Sequence, residues 1–187
     1  EIGNIGSGNA ATALASMLSK RVDMNVPQVR ILEFKDVAEV LGGEEKLVVG
    51  IYLDLNGEIK GNMMFILDLE SAVNLTNMLL NREDGGDELD DMRISALSEV
   101  GNILASSYVN SLSALTGLKI AVSVPSLAID MAGAILSVPA IQFGYVADQV
   151  LFIETIFEED NKSVKGNLFL LPDMDSFEKI LSSLGVL

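Results

Sequence analysis

Apolar residues recur along this chain with two periods, one near 3.6 and one near 2. The longer period predicts a helix over about 1–20, with Ala10, Leu14, Met17 and Leu18 on one face. It predicts another over about 92–116, where Ile94, Leu97, Gly101, Leu104, Tyr108, Leu112 and Leu115 form one broad stripe. Apolar and β-branched runs predict strands at about 23–34, 46–55, 58–67, 118–130, 149–158 and 164–171. Two closing helices are expected at 69–81 and 173–184, with Asp68 and Asp173 as N-cap or first-turn carboxylates. Asp54–Glu58, "DLNGE", carries an Asn-Gly hairpin signal, and the apolar stretch Ala134–Tyr145 reads as a further strand.

The pattern is written twice. "EIGNI" at residue 1 returns as "EVGNI" at residue 99, and Leu14, Val26, Pro27 and Ile31 return as Leu112, Val124, Pro125 and Ile129. "KGNMMFILDLES" (Lys60–Ser71) resembles "KGNLFLLPDMDS" (Lys165–Ser176), the spacing having drifted in a loop around Glu158–Ser163. The acidic run Asn81–Asp91, with its Gly-Gly pair, is the linker. We therefore expect an α/β (α+β) fold, internally duplicated and pseudo-two-fold. Two repeats, about 1–85 and about 92–187, would form a single domain over 1–187. Their strands would join one continuous, mainly antiparallel sheet with helices packed on it.

Composition narrows the chemistry. With 187 residues, 49% of them hydrophobic, the chain can build one sizeable core. A net charge of −15 makes nucleic acid and anionic membrane poor partners and suits a basic or amphipathic protein partner, or simply solubility. No run of about 18 apolar residues indicates a membrane span. There is no cysteine and no histidine, which removes thiolate nucleophiles, the Ser-His-Asp triad and the commonest transition-metal ligands. Any chemistry must use carboxylates, amides, hydroxyls, basic groups, or what a partner brings.

The repeated Glu-x-Gly-Asn is where such chemistry is expected. In the second helix Ser95, Glu99, Asn102 and Ser106 form a narrow stripe roughly opposite the apolar one. Glu1 and Asn4 lie likewise on the far side of the first helix. Each Glu/Asn pair should be solvent-facing and one turn apart. Asn and Gly are both poor mid-helix choices, and a plain surface has no reason to accept both twice. Pro27 and Pro125, in the strands that follow, belong at an edge or a bulge. A carboxylate can pair with a partner's cation, and a carboxamide can hold and aim a water. Aiming water at phosphorus is a known role for an amide in phosphoryl transfer. The pair suits hydrolysis of a phosphoryl group carried by another protein.

Glu-x-x-Asn, then 22 residues and Pro, with Asp or Ser four residues before the Glu, resembles the signature of the CheC/CheX/FliY family of chemotaxis phosphatases. The second copy matches at Ser95, Glu99, Asn102 and Pro125, and the first at Glu1, Asn4 and Pro27. Two copies in a short chain are the arrangement of the CheC branch. The resemblance implies that the substrate is a phosphorylated CheY-type response regulator, whose own Mg2+ completes the site, with no cofactor held by this chain. It implies that Glu1 and Glu99 pair with the regulator's active-site lysine and that Asn4 and Asn102 orient the attacking water. It further implies a second partner, the receptor deamidase CheD, and a cytoplasmic location. The alternative reading is a non-catalytic adaptor that binds the phosphorylated regulator, CheD or a flagellar switch component.

Overall fold

Gly61–Asp68 is apolar at nearly every position, which is the composition of a strand covered on both faces. A computed structural model describes residues 2–18, 23–82, 86, 88–143, 148–159 and 162–185, and in it this run is β3, buried along almost its whole length. Around it run α1 (Ile2–Leu18), β1 (Asp23–Glu33), a 3-10 turn (Phe34–Asp36), α2 (Val37–Val40) and β2 (Leu47–Gly57). After β3 come α3 (Leu69–Leu80), α4 (Asp91–Thr116), β4 (Ile120–Val122), β5 (Ser126–Met131), α5 (Ala132–Phe143), β6 (Gln149–Glu159), β7 (Lys162–Pro172) and α6 (Met174–Ser183).

One antiparallel sheet has the order β1-β6-β7-β3-β2-β4, with β5 also on β2. β3 and β7 pair at its centre, Gly61 with Pro172 through Ile66 with Asn167. β1 does not pair with β2 or β3, the strands next in sequence, but crosses to β6. β4 and β5 cross in the same way to β2.

Strand alternation sorts the side chains into two cores. Val49, Ile51, Leu53, Met63, Phe65 and Leu67 meet α1, α3 and α4 on one face. Val48, Met64 and Ile66 meet Val37, Ala132, Ile135 and Leu136 on the other. Asp68 and Asp173 cap their helices as expected, accepting from the amides of Ser71 (2.7 Å) and Ser176 (2.8 Å). Among the described residues no helix is long and apolar enough to cross a membrane.

Three expectations are corrected. The run Ala134–Tyr145 is not a strand: as far as Phe143 it belongs to α5, and residues 144 and 145 lie outside the described residues. Ala132, Ile135, Leu136 and Pro139 are buried, a helical spacing that the proline disguised. Pro139 cannot donate to the carbonyl of Ile135 four residues back, and the Tyr52 hydroxyl donates to that carbonyl instead. Burial raises the Tyr52 phenol above its ordinary value, so it stays protonated as a donor. Second, the strand expected over 118–130 is two strands, interrupted at residues 123–125. Third, Asn56-Gly57 does not make the hairpin turn. Both residues stay in β2, paired with Ala121 and Ile120, and the chain turns at residues 58–60. Gly57 has φ 108° and lies so close to the Lys119 carbonyl that a Cβ would be 2.5 Å from its oxygen.

Candidate functional site

α4 begins with an Asp cap and a buried arginine. Asp90 accepts from the amide of Arg93 at 2.9 Å and from the Arg82 guanidinium at 2.6 Å. The Arg82 bond, with the Arg93 amide, holds the Asp90 carboxyl below the usual carboxylate range. The Arg93 guanidinium is buried and donates to the carbonyls of Gly86 (2.7 Å) and Glu88 (3.2 Å) and to Oδ1 of Asn77 on α3 (2.9 Å). Sequence reasoning passed over Arg93. Its signal was its place one turn before Leu97, on the stripe that faces the core.

From this anchor the apolar stripe turns inward largely as its period requires. Leu97, Gly101, Leu104, Tyr108 and Leu112 are buried, while Ile94 and Leu115 at its ends are half-buried. The buried face is broader than one stripe and includes Val100, Ala105 and Val109, because α1 packs beside α4 as well as the sheet beneath. Two glycines set how close the layers come. A Cβ on Gly101 would lie 2.6 Å from Cγ2 of Ile51 on β2, and one on Gly6 would lie 2.4 Å from the ring of Tyr108. The glycine of Glu-x-Gly-Asn thus has a packing reason of its own in the second copy. Burial pushes the Tyr108 phenol up to about 12.

Opposite the buried face, Ser95 and Glu99 are exposed and Asn102 and Ser106 are half-buried. Asn102 is thus less solvent-facing than the helical wheel placed it. Among the described residues, the side chains of Ser95, Glu99 and Asn102 make no hydrogen bond or ion pair. A carboxylate and a carboxamide one turn apart therefore keep their full bonding capacity for a ligand. Among the described residues no group of acidic side chains could hold a metal ion.

Both prolines stand at bulges in edge strands. The register of β1 on β6 shifts between Asn25 and Gln28, so Val26 and Pro27 together oppose Thr155. On the other edge, Ser123, Val124 and Pro125 oppose Leu53 and Asp54 of β2. Each proline-bearing strand thus carries one residue more than its partner, where a missing amide costs the ladder nothing. β4 and β5 lie against α4, and β1 lies against α1. Glu1 lies outside the described residues. Of Asn4 and Pro27 the backbone alone is described, within α1 and at the β1 bulge.

Comparison with known proteins places this geometry. A profile of the CheC-like family matches residues 1–31 and 92–129, which contain both Glu/Asn pairs and both prolines. The protein named CheY-P phosphatase CheC of Bacillus subtilis is 38% identical over 192 residues, covering 99% of this chain and 91% of that one. The structure of Thermotoga maritima FliY superposes with a TM-score of 0.75 at 26% identity, covering 99% of this chain and 92% of that one. CheX of Borrelia burgdorferi, solved as a complex with CheY, BeF3 and Mg2+, shares the fold at a TM-score of 0.50 and 20% identity, over 89% of this chain and 95% of that one. On the near-full-length identity to the B. subtilis protein, the chain belongs to the CheC-like family.

Proposed function

We propose that this chain hydrolyses the phospho-aspartate of a CheY-type response regulator. The observation that carries the reading is the exposed Glu99 one turn before the half-buried Asn102, neither with a partner of its own. Glu99 pairs with a cation beside the regulator's acyl phosphate and fixes the orientation of the two proteins. The Asn102 carboxamide holds one water by donor and acceptor together and aims it at phosphorus. The water oxygen bonds to phosphorus, the acyl-phosphate P–O bond breaks, and the aspartate leaves as carboxylate while inorganic phosphate takes up the water's protons. Mg2+ comes with the regulator. The 38% identical relative, named for this activity, and the CheX crystallised with CheY and Mg2+ both support the assignment. Glu1 and Asn4 repeat the pair in the sequence of the first copy, with Ser95, Pro27 and Pro125 supporting the motifs.

The same reading makes residues 1–187 one domain of two repeats. The strand order supports it, since each half of the sheet is completed by an edge strand from the other half of the chain. A cytoplasmic location follows from the substrate. Binding of CheD is part of the proposal on the family resemblance alone, and copurification of the two proteins tests it.

The test of the activity is the decay of acyl phosphate on a phosphorylated CheY-type regulator with and without this protein. Acceleration that disappears in the Asn4→Ala, Asn102→Ala double variant, with its circular dichroism unchanged, is the expected result. Full acceleration by the double variant, or binding without any acceleration by the wild type, would overturn the catalytic reading. The second of these outcomes leaves an adaptor.

A further inference from the structure

Tyr108 and Thr155 bring two hydroxyls into the core that the hydrolytic reading does not use. Both side chains are buried, Tyr108 on α4 and Thr155 on β6. Among the described residues neither hydroxyl closes a hydrogen bond. Strand alternation puts Thr155 between Ile153 and Phe157, on the face that α1 and α4 cover. The two hydroxyls are neighbours there: burial raises the Tyr108 phenol, and Thr155 draws it partway back.

The fold itself does not need this polarity. On the repeated sequence Tyr108 corresponds to Ala10, and Thr155, opposite Gly166, corresponds to Leu55, opposite Gly61. Ala10 and Leu55 are buried in the same core. An alanine and a leucine fill the matching place with no polar group to satisfy. Unbonded buried hydroxyls are costly, and packing alone does not explain them.

What the pair touches is the first motif. Gly6, two residues after Asn4 on α1, lies so close to the Tyr108 ring that no Cβ would fit between them. Thr155 stands opposite Val26 and Pro27 at the β1 bulge. The phenol ring therefore bears on the helix that carries Asn4, and its hydroxyl reaches the position that faces Pro27. The second motif is held by other contacts, Gly101 on Ile51 and Arg93 on Asn77. Closing a bond between the two hydroxyls would draw α4, and α1 with it through Gly6, onto the bulge. An apolar pair can slide, whereas a hydroxyl pair holds only where donor and acceptor meet.

We propose that the Tyr108 and Thr155 hydroxyls form a latch that closes when the regulator engages the first motif, which makes both of them positioning residues for Asn4. The proposal rests on the hydrolytic reading above and deepens it. The latch sets turnover at the first motif and leaves the second motif alone.

The test is steady-state dephosphorylation of the regulator in two backgrounds. In Asn102→Ala the first motif alone turns over, and in Asn4→Ala the second. Tyr108→Phe and Thr155→Val should each lower kcat about tenfold or more in the first background, with KM within about twofold. Neither constant should change in the second background. Thr155→Ser keeps the hydroxyl and should keep kcat near that of its parent. The urea midpoint of Tyr108→Phe should not fall, because the ring stays and only an unbonded hydroxyl goes. Equal losses in both backgrounds, losses in the second alone, or no loss in either overturn the positioning role. Thr155→Ser as slow as Thr155→Val overturns it as well. A lowered midpoint for Tyr108→Phe would show the hydroxyl already bonded in the free protein and overturn the latch. Absence of any activity in Asn102→Ala would show that the first motif does not turn over, and would overturn the proposal while the hydrolytic reading stands on the second. A wild-type protein that does not accelerate decay removes both readings together.

Discussion

Gly101 touches Ile51 so closely that no other residue fits between α4 and β2: a Cβ at Gly101 would lie 2.6 Å from Ile51 Cγ2 and 3.3 Å from its Cβ. Since Gly101 stands between Glu99 and Asn102, this contact fixes the height and rotation at which both leave the helix. Gly101→Ala should force α4 off the sheet. Overpacking costs about 1–3 kcal/mol, partly offset by about 1 kcal/mol of better helix propensity. Urea unfolding should show that small net loss, and regulator dephosphorylation should fall by a larger factor than the stability change explains. Wild-type turnover in Gly101→Ala would show that the close approach does not position Asn102.

The two residues of the pair should fail differently. On the proposed mechanism Asn102→Ala removes the group that aims the water, and loss of alignment of that kind costs about 10²-fold in rate. On the same proposal Glu99→Ala removes the charge that meets a cation on the partner, so KM should rise and its dependence on salt should flatten. Steady-state kinetics at two ionic strengths separate the cases. A pure kcat defect in Glu99→Ala would contradict its docking role.

On the opposite face, the Tyr52 hydroxyl serves the Ile135 carbonyl that Pro139 leaves without an amide. Tyr52→Phe should strand that carbonyl and destabilise the protein by about 1–3 kcal/mol, read from the urea midpoint. The double variant Tyr52→Phe, Pro139→Ala should recover most of this, because the alanine amide takes over the bond. Dephosphorylation should stay unchanged, since α5 lies across the sheet from α4.

Asp90 caps α4 with its carboxyl held below the ordinary value of 3.8, first by the Arg82 bond and then by the Arg93 amide. The folded pKa is the lower one, so this stabilisation is present above 3.8 and is lost as pH falls through the folded value. Asp90→Asn keeps a cap but not the charge. Its unfolding midpoint should therefore depend less on pH below about 4 than that of the wild type. Parallel pH profiles would remove Asp90 from the acid response.

Much of this was legible in the chain. The faces of α4, the caps at Asp68 and Asp173, and the irregularity at Pro27 and Pro125 follow from local chemistry: helical period, a carboxylate before a helix, a residue with no amide. The Glu/Asn stripe was legible for the same reason, and its repetition drew attention to it. Arg93 was passed over because a buried arginine is recognisable only by the oxygens around it, which come from the folded-back end of the linker and from Asn77 on α3. Ala134–Tyr145 misled because an apolar run of that length suits a strand or a buried helix equally, and the carbonyl that settles Pro139 in a helix is served by a tyrosine 83 positions away.

The sequence by itself determined the long helix α4, the capped starts of α3 and α6, most of the strands, and which face of α4 carries Glu99 and Asn102, because period and capping act over a few residues. Only the tertiary structure decided that β1 leaves its neighbours for β6 while β4 and β5 cross to β2. It also decided that Val26 is half-buried while Val124 stands in water. Both are outcomes of long-range pairing. An edge strand gains the same backbone bonds from any antiparallel partner, so the choice is made by which cores and helices close around it, and no local pattern encodes that.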